Sequence, residues 1–422
     1  MMQEIRPLQS LDAVVAVPGS KSYTQRALVI SALAQGLSVL RRPLLSDDTR
    51  HLIAALQAMG THITIEDGAI AVKGTAGHLH APTRPIALGN NGTAIRLLTT
   101  MVTLGSGVFT LTGDDRLCER PIKPLLEALR SLGVDARSRC AGFPPVIVQA
   151  DGLAGGRVVL RDIESSQYVS SLLISAPYMR NGLDLELAGR IPSLPYIEMT
   201  VEAMKRFGGS VTVHSPRHYT VPGGHAYEAA DYAVEGDVSS ASYFFLAAML
   251  TGGRVRVEHL HPRTLQGDIR LVDLLEELGG TVVRGEDWIE LTGGSLGIGE
   301  KRFDLNDMPD MVPTLAVLAA RRPGRTILTN VSHLRHKESN RLAALATELQ
   351  RMGIHAREME DGLEIEGGIP IGATIETYND HRIAMAFAVL GLVTPGIIIR
   401  DREVVNKSFP TFWQTLDGLY RS

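Results

Sequence analysis

The sequence predicts an α/β protein of two domains, each assembled from three copies of one unit. Three observations carry that expectation. Six polar clusters recur at intervals of about 70 residues, each running straight into an apolar helix-like stretch, and such a period marks a repeated unit. Five intervals hold a second, amphipathic helix that stops at a glycine and is followed by a β-branched, strand-like segment. The length of 422 residues also exceeds what a single hydrophobic core serves well.

The clusters are Gly19-Ser20-Lys21-Ser22, Gly89-Asn90-Asn91-Gly92-Thr93, Ser165-Ser166-Gln167, Gly236-Asp237-Val238-Ser239-Ser240, Met308-Pro309-Asp310 and Tyr378-Asn379-Asp380-His381-Arg382. Each puts small residues, hydroxyls or carboxylates where a helix should begin, so each offers free backbone N–H groups and the positive end of a helix dipole to an anion. Six such ends point to a small, highly charged substrate. The second helices are expected at 51–60, 124–133, 197–208, 271–279 and 342–353, and strands at 61–65 and 209–213 follow two of them. Three intervals precede residue 236 and three follow it, with turn signals at 17–19 and 235–237 as the expected crossings between halves. Periodicity alone leaves the N-terminal strand unassigned. Grouping it with the second half gives a discontinuous domain of residues 1–17 and 236–422 around one of residues 18–235.

Composition narrows the function. Lys and Arg number 42 against 46 Asp and Glu, a slightly acidic balance that does not favour a nucleic-acid partner. Cys118 and Cys140 are too few for a disulfide framework or a cysteine zinc site, so redox chemistry is not expected. The start lacks the apolar core of a signal peptide, and the apolar runs at 243–250 and 383–393 fall short of the roughly 18 residues a membrane helix needs. A cytoplasmic protein without a membrane partner is expected.

Gly19-Ser20-Lys21-Ser22 resembles a phosphate loop but fails its spacing, since Ser20 rather than Gly precedes the lysine. Lys21 and Arg26 can still grip an anion at a helix start, or can be ordinary solvated cations. Gly89 and Gly92 flank two amides at the next helix start, where missing side chains admit a ligand or simply allow a tight connection. Arg120 precedes a helix with a forked guanidinium suited to carboxylate or phosphate. Lys337 and Arg341, four apart, are expected on one helical face with Glu338 beside them. Arg382 follows Asp380 at the mouth of an apolar helix, and Lys407 precedes the last one. Singly, each reads as a solvated helix end. Gathered together they would carry far too much positive charge unless substrates brought negative groups, and two phosphates with two carboxylates would balance it.

These fragments resemble the 5-enolpyruvylshikimate-3-phosphate synthases over essentially the whole chain. The likeness rests on Pro18-Gly19-Ser20-Lys21-Ser22 with Arg26, Leu88-Gly89-Asn90 with Gly92-Thr93 and Arg96, Glu119-Arg120-Pro121, Ser165-Ser166-Gln167, Lys337-Glu338 with Arg341, and Asp380-His381-Arg382, all in family order. It implies a two-domain inside-out α/β barrel, each domain three βαβαββ units with helix N-termini facing the interdomain cleft. It implies transfer of the enolpyruvyl group of phosphoenolpyruvate to the 5-hydroxyl of shikimate-3-phosphate, by a monomer with no metal or other cofactor. Carried over by position, shikimate-3-phosphate would meet Lys21, Ser22, Arg26, Ser165, Ser166, Gln167, Ser193, Asp310 and Lys337. Phosphoenolpyruvate would meet Lys21, Gly92, Arg120, Gln167, Arg341, Arg382 and Lys407. The resemblance makes Asp310 the base at the 5-hydroxyl and Glu338 the acid at the methylene carbon, with Lys21 as the third catalytic group. Gly92 lines the pocket that glyphosate uses in this family. The sequence departs from the pattern at Asn91, Leu97, His333 and Asn340.

Two rivals remain. The UDP-N-acetylglucosamine enolpyruvyl transferases share the architecture but carry a cysteine loop and a Lys-Asn pair, whereas this chain has Lys21-Ser22. A clamp-like repeat protein around nucleic acid would need the net positive charge that is missing here.

Overall fold

The computed structural model describes residues 1–421. The chain folds into two compact units, one of Gly19–Val234 and one of Met1–Pro18 with Glu235–Ser422. Each has its own apolar core. Six small sheets appear among the described residues, five of four strands and one of three.

The four-stranded sheets share one topology. In the sheet that starts at Gly156–Arg161, this strand runs parallel to Leu183–Ala188, joined by the crossover helix Gln167–Ser175. A second helix, Pro195–Arg206, leads to the hairpin of Thr212–Ser215 and His218–Val221, whose second strand pairs antiparallel with Leu183–Ala188. A parallel pair needs such a crossover, while the hairpin needs only a tight turn. The same order recurs from Ile86–Ala87 and from Lys301–Asp304.

The remaining two four-stranded sheets complete themselves by exchange. The strand Asp12–Ala16 lies just ahead of the helix Lys21–Leu33, yet it pairs parallel with Arg254–Glu258 in the other unit's first sheet. The strand Asp231–Ala233, just ahead of the helix Val238–Thr251, pairs with Leu37–Arg41 instead. The sixth sheet is shorter than a full repeat. It pairs Thr374–Ile375 with Ile398–Ile399 and adds Gln3–Glu4, with no closing hairpin.

The leading helix of each repeat is buried on nearly every side. Helices Val238–Thr251 and His381–Leu390 show almost no exposed residue, as expected of segments apolar all round. They pack on each other and on Val312–Arg321, and Ala316, Ala319, Ala384, Ala386 and Ala388 keep the packed faces small. In the other unit Gly92–Met101 packs on both Lys21–Leu33 and Gln167–Ser175. The second helices are amphipathic and lie outside them. Lys123–Ser131, for example, buries Leu125, Leu126, Ala128 and Leu129 and leaves Lys123 and Glu127 in solvent. The glycines expected to stop these helices, Gly60, Gly133, Gly208, Gly279 and Gly353, all have positive φ, the left-handed conformation that glycine adopts without a Cβ penalty. No helix among the described residues is long and apolar enough to cross a membrane.

Candidate active site

Residues that the sequence singles out gather at the helix starts of each unit. In the unit of Gly19–Val234, Ser20 caps the first helix by accepting from the Tyr23 N–H, and Lys21 opens it. The Lys21 ammonium reaches Asp48 Oδ2 at 3.1 Å, a pair largely withdrawn from water. Asn91 caps the next helix through the Ala94 N–H at 2.9 Å and donates its amide to the Asp48 carbonyl at 2.7 Å. That bridge ties the second helix start to the residue that holds Lys21.

Arg96, one turn into the Gly92–Met101 helix, donates to Gln167 Oε1 at 2.7 Å, and Gln167 in turn donates to Thr93 Oγ1 at 2.9 Å. Ser165 Oγ accepts the Gln167 N–H at 3.3 Å, and Ser166 is buried beside it. Arg120 is 4% exposed and lies over the start of the Gly92 helix, 3.2 Å from Asn90 Oδ1. A Cβ on Gly92 would fall 2.5 Å from the Arg120 guanidinium carbon, so only glycine allows that guanidinium its place. Ser193 is buried at φ +59°, a conformation uncommon outside glycine.

Arg26 stands apart from the rest. It is 1% exposed and donates to Thr200 Oγ1 at 2.8 Å, Ser170 Oγ at 3.2 Å and the carbonyls of Ser22 and Tyr196 at 3.0 Å. All of these acceptors are neutral. Burial pulls its pKa down to about 10, because desolvation penalises the charged form. Its hydrogen bonds fasten the first helix to Gln167–Ser175 and Pro195–Arg206.

In the other unit a single arginine joins three carboxylates. Arg341, 1% exposed, reaches Asp310 Oδ1 at 2.8 Å, Glu338 Oε2 at 2.6 Å and Asp380 Oδ2 at 2.8 Å. Arg382 takes the second oxygen of Asp310, also at 2.8 Å. Asp310 is carried by the short turn Pro309–Met311 ahead of its helix. Asp380 caps the His381–Leu390 helix through the Arg382 N–H and also accepts from Ser339 Oγ at 3.0 Å. Burial favours a protonated Asp310, but Arg382, Lys337 and Arg341 outweigh it and hold the carboxyl well below the usual range. Behind them Asp268 accepts from Ser239 Oγ. Desolvation first, and then the charge of Asp310, push its pKa up to about 7. Lys407 is buried at the end of the Arg402–Lys407 turn, which packs on the His381–Leu390 helix.

Two expectations need correction. Lys337 and Arg341 do not share a helical face, because the helix starts at Arg341 and Lys337 is extended at φ −90°, ψ −155°. Asn340 sets that start by capping the Ala343 N–H. The expected excess of positive charge is also smaller, because Asp48, Asp310, Glu338 and Asp380 neutralise much of what Lys21, Arg341 and Arg382 bring. Of the groups left out of the expected site, Asp48 and Asp380 sit at helix starts rich in capping residues, a signal visible in the sequence. Asp268 gives no such signal.

A sequence model of the family described as EPSP synthase (3-phosphoshikimate 1-carboxyvinyltransferase) matches residues 5–416. Among curated relatives, a 3-phosphoshikimate 1-carboxyvinyltransferase of Syntrophobacter fumaroxidans is 43% identical over 99% of this chain and all of its own. One of Methanothermobacter thermautotrophicus is 43% identical over 96% of this chain and 94% of its own. The solved structure of an EPSP synthase from Acinetobacter baumannii matches with a TM-score of 0.80 at 28% identity, covering 99% of this chain and 98% of that one. With its repeats, its helix starts and its relatives in agreement over nearly the full length, this chain belongs to the EPSP synthase family.

Proposed function

We propose that the chain transfers the enolpyruvyl group of phosphoenolpyruvate to the 5-hydroxyl of shikimate-3-phosphate and releases phosphate. The observation that carries this reading is family membership over nearly the whole chain. The chemistry around Asp310 is compatible with it. In the addition step the 5-hydroxyl oxygen bonds to C2 of phosphoenolpyruvate, its proton passes to Asp310, and Glu338 protonates C3. Elimination then returns a proton from C3 and expels phosphate, leaving the enol ether.

A carboxylate clasped by Arg341 and Arg382 is a weak base. Phosphate and carboxylate groups of the substrates would compete for both arginines and so raise the basicity of Asp310 when the reactants are present. Lys21, Ser22, Ser165, Ser166, Gln167, Ser193 and Lys337 are assigned to shikimate-3-phosphate, with Arg26 acting mainly by fixing the helix starts beneath them. Gly92, Arg120, Arg341, Arg382 and Lys407, together with Lys21 and Gln167 again, are assigned to phosphoenolpyruvate, for which the cations stabilise the tetrahedral intermediate. The reading has the chain working in the cytoplasm as a monomer, on two small molecules and without a cofactor.

The direct test offers phosphoenolpyruvate with shikimate-3-phosphate or with UDP-N-acetylglucosamine and measures phosphate release. Release with the first acceptor alone is expected, and release with the second alone would overturn the assignment. A narrower test is Gly92→Ala. The added methyl forces the Arg120 guanidinium aside, and a guanidinium moves at little cost to the fold. KM for phosphoenolpyruvate is therefore expected to rise about tenfold, the equivalent of one charge-assisted hydrogen bond, with the melting temperature nearly unchanged. An unchanged KM would remove Arg120 from that site.

A further inference from the structure

The outer face of the sheet built from Gly156–Arg161, Leu183–Ala188, His218–Val221 and Thr212–Ser215 carries a cluster that the enolpyruvyl reaction does not use. Along Leu183–Ala188 the side chains alternate, with Leu183, Leu185 and Leu187 buried and Asp184 and Glu186 on the opposite, partly open face. Register sets Thr220 opposite Asp184 and His218 opposite Glu186, and directly opposed residues share a face. One imidazole and two carboxylates thus meet in a single patch. One ligand-type atom from each of Asp184, Glu186 and His218 lies within 4.8 Å of the other two.

We propose that Asp184, Glu186 and His218 bind a divalent transition-metal ion of the zinc type. Three protein ligands of nitrogen and oxygen with water in the fourth position are a familiar zinc set, and bonds of roughly 2.0–2.2 Å require donor atoms a little over 3 Å apart. His218 Nε2 and Asp184 Oδ1 stand 2.8 Å apart, so a metal between them asks for only a slight opening. His214 stacks on the His218 ring with centroids 4.5 Å apart and is held by Thr220 Oγ1 at 2.9 Å, which limits the rotation of the ligand imidazole. The competing charge is Arg157, 2.7 Å from Glu186. Both of those side chains are substantially exposed, and such surface pairs are weak enough for a divalent ion to displace. The cluster lies in the sheet rather than among the helix starts, and no residue of it is assigned to the transfer chemistry.

The test titrates zinc ion alone into the full chain by calorimetry, at about pH 7.5 and again at about pH 5.5, where protons compete more strongly with a metal for its ligands. One ion per chain is expected at the higher pH, with binding strongly weakened at the lower. His218→Ala is expected to weaken binding more than about tenfold, the least that loss of even a supporting group commonly costs a metal site, with catalytic turnover unchanged. Should that variant fail to fold, Asp184→Asn is read in its place by the same criterion. Absence of saturable binding to the parent chain, or binding of equal strength in the variant, overturns the proposal and leaves the cluster a cross-strand polar ladder.

Discussion

Arg341→Met is expected to destabilise the chain by about 3–5 kcal/mol, the size typical of removing one partner from a buried ion pair. The cause is the company Arg341 keeps. Asp380 has no exposure, Glu338 very little and Asp310 less than a fifth, so the substitution takes a charged donor from three buried or nearly buried carboxylates and leaves Asp310 to Arg382, and Asp380 to Ser339 Oγ and the Arg382 N–H. Two consequences can be measured. Denaturant unfolding should show the midpoint fall with an unchanged slope, and turnover should fall steeply because Glu338 loses the Arg341 donor and Asp310 keeps only Arg382 of its two arginines. Arg341→Lys should rescue little, since a single ammonium cannot span three acceptors as a planar fork does. A variant with parental stability would show that the carboxylates find other counter-charges.

Glu338→Gln separates chemistry from architecture. The amide keeps the shape of the side chain and can still accept from Arg341, whose Nη2 stands 2.6 Å from Glu338 Oε2. Turnover is expected to slow by about a hundredfold or more, the usual size of a lost acid–base group, while shikimate-3-phosphate binding stays nearly intact. Because Arg341 retains Asp310 and Asp380, the stability loss should be much smaller than in Arg341→Met. Parental kinetics in this variant would remove Glu338 from the proton-transfer step.

The sequence was most legible where local rules act alone. Helix ends could be read because a glycine at positive φ is a local requirement, and Gly60, Gly133, Gly208, Gly279 and Gly353 each meet it. The capping residues Ser20, Asn91, Asp237 and Asp380 likewise announce the helices they start. What stayed hidden depends on residues far apart in the chain. Nothing near Arg341 reveals that it will hold Asp310 and Asp380, 31 and 39 positions away. The helical spacing of Lys337 and Arg341 misled for a local reason: Asn340 caps and so starts the helix between them, a signal the i, i+4 spacing overlooks. Apart from the N-terminal one, the opening strands of the repeats are not located by the sequence pattern. At two to six residues they are too short to show a clear alternation.

The exchange of opening strands has a consequence for how the polypeptide matures. Asp12 waits for Arg254, 242 positions later, before its strand can pair, whereas the strands of Gly19–Val234 find their sheet partners within that stretch. On the ribosome the enclosed unit can therefore finish while the enclosing one still has an open edge, and closing so long a span should be the slow step. A chaperone that binds exposed strand edges would be expected to recognise Asp12–Ala16 during that interval.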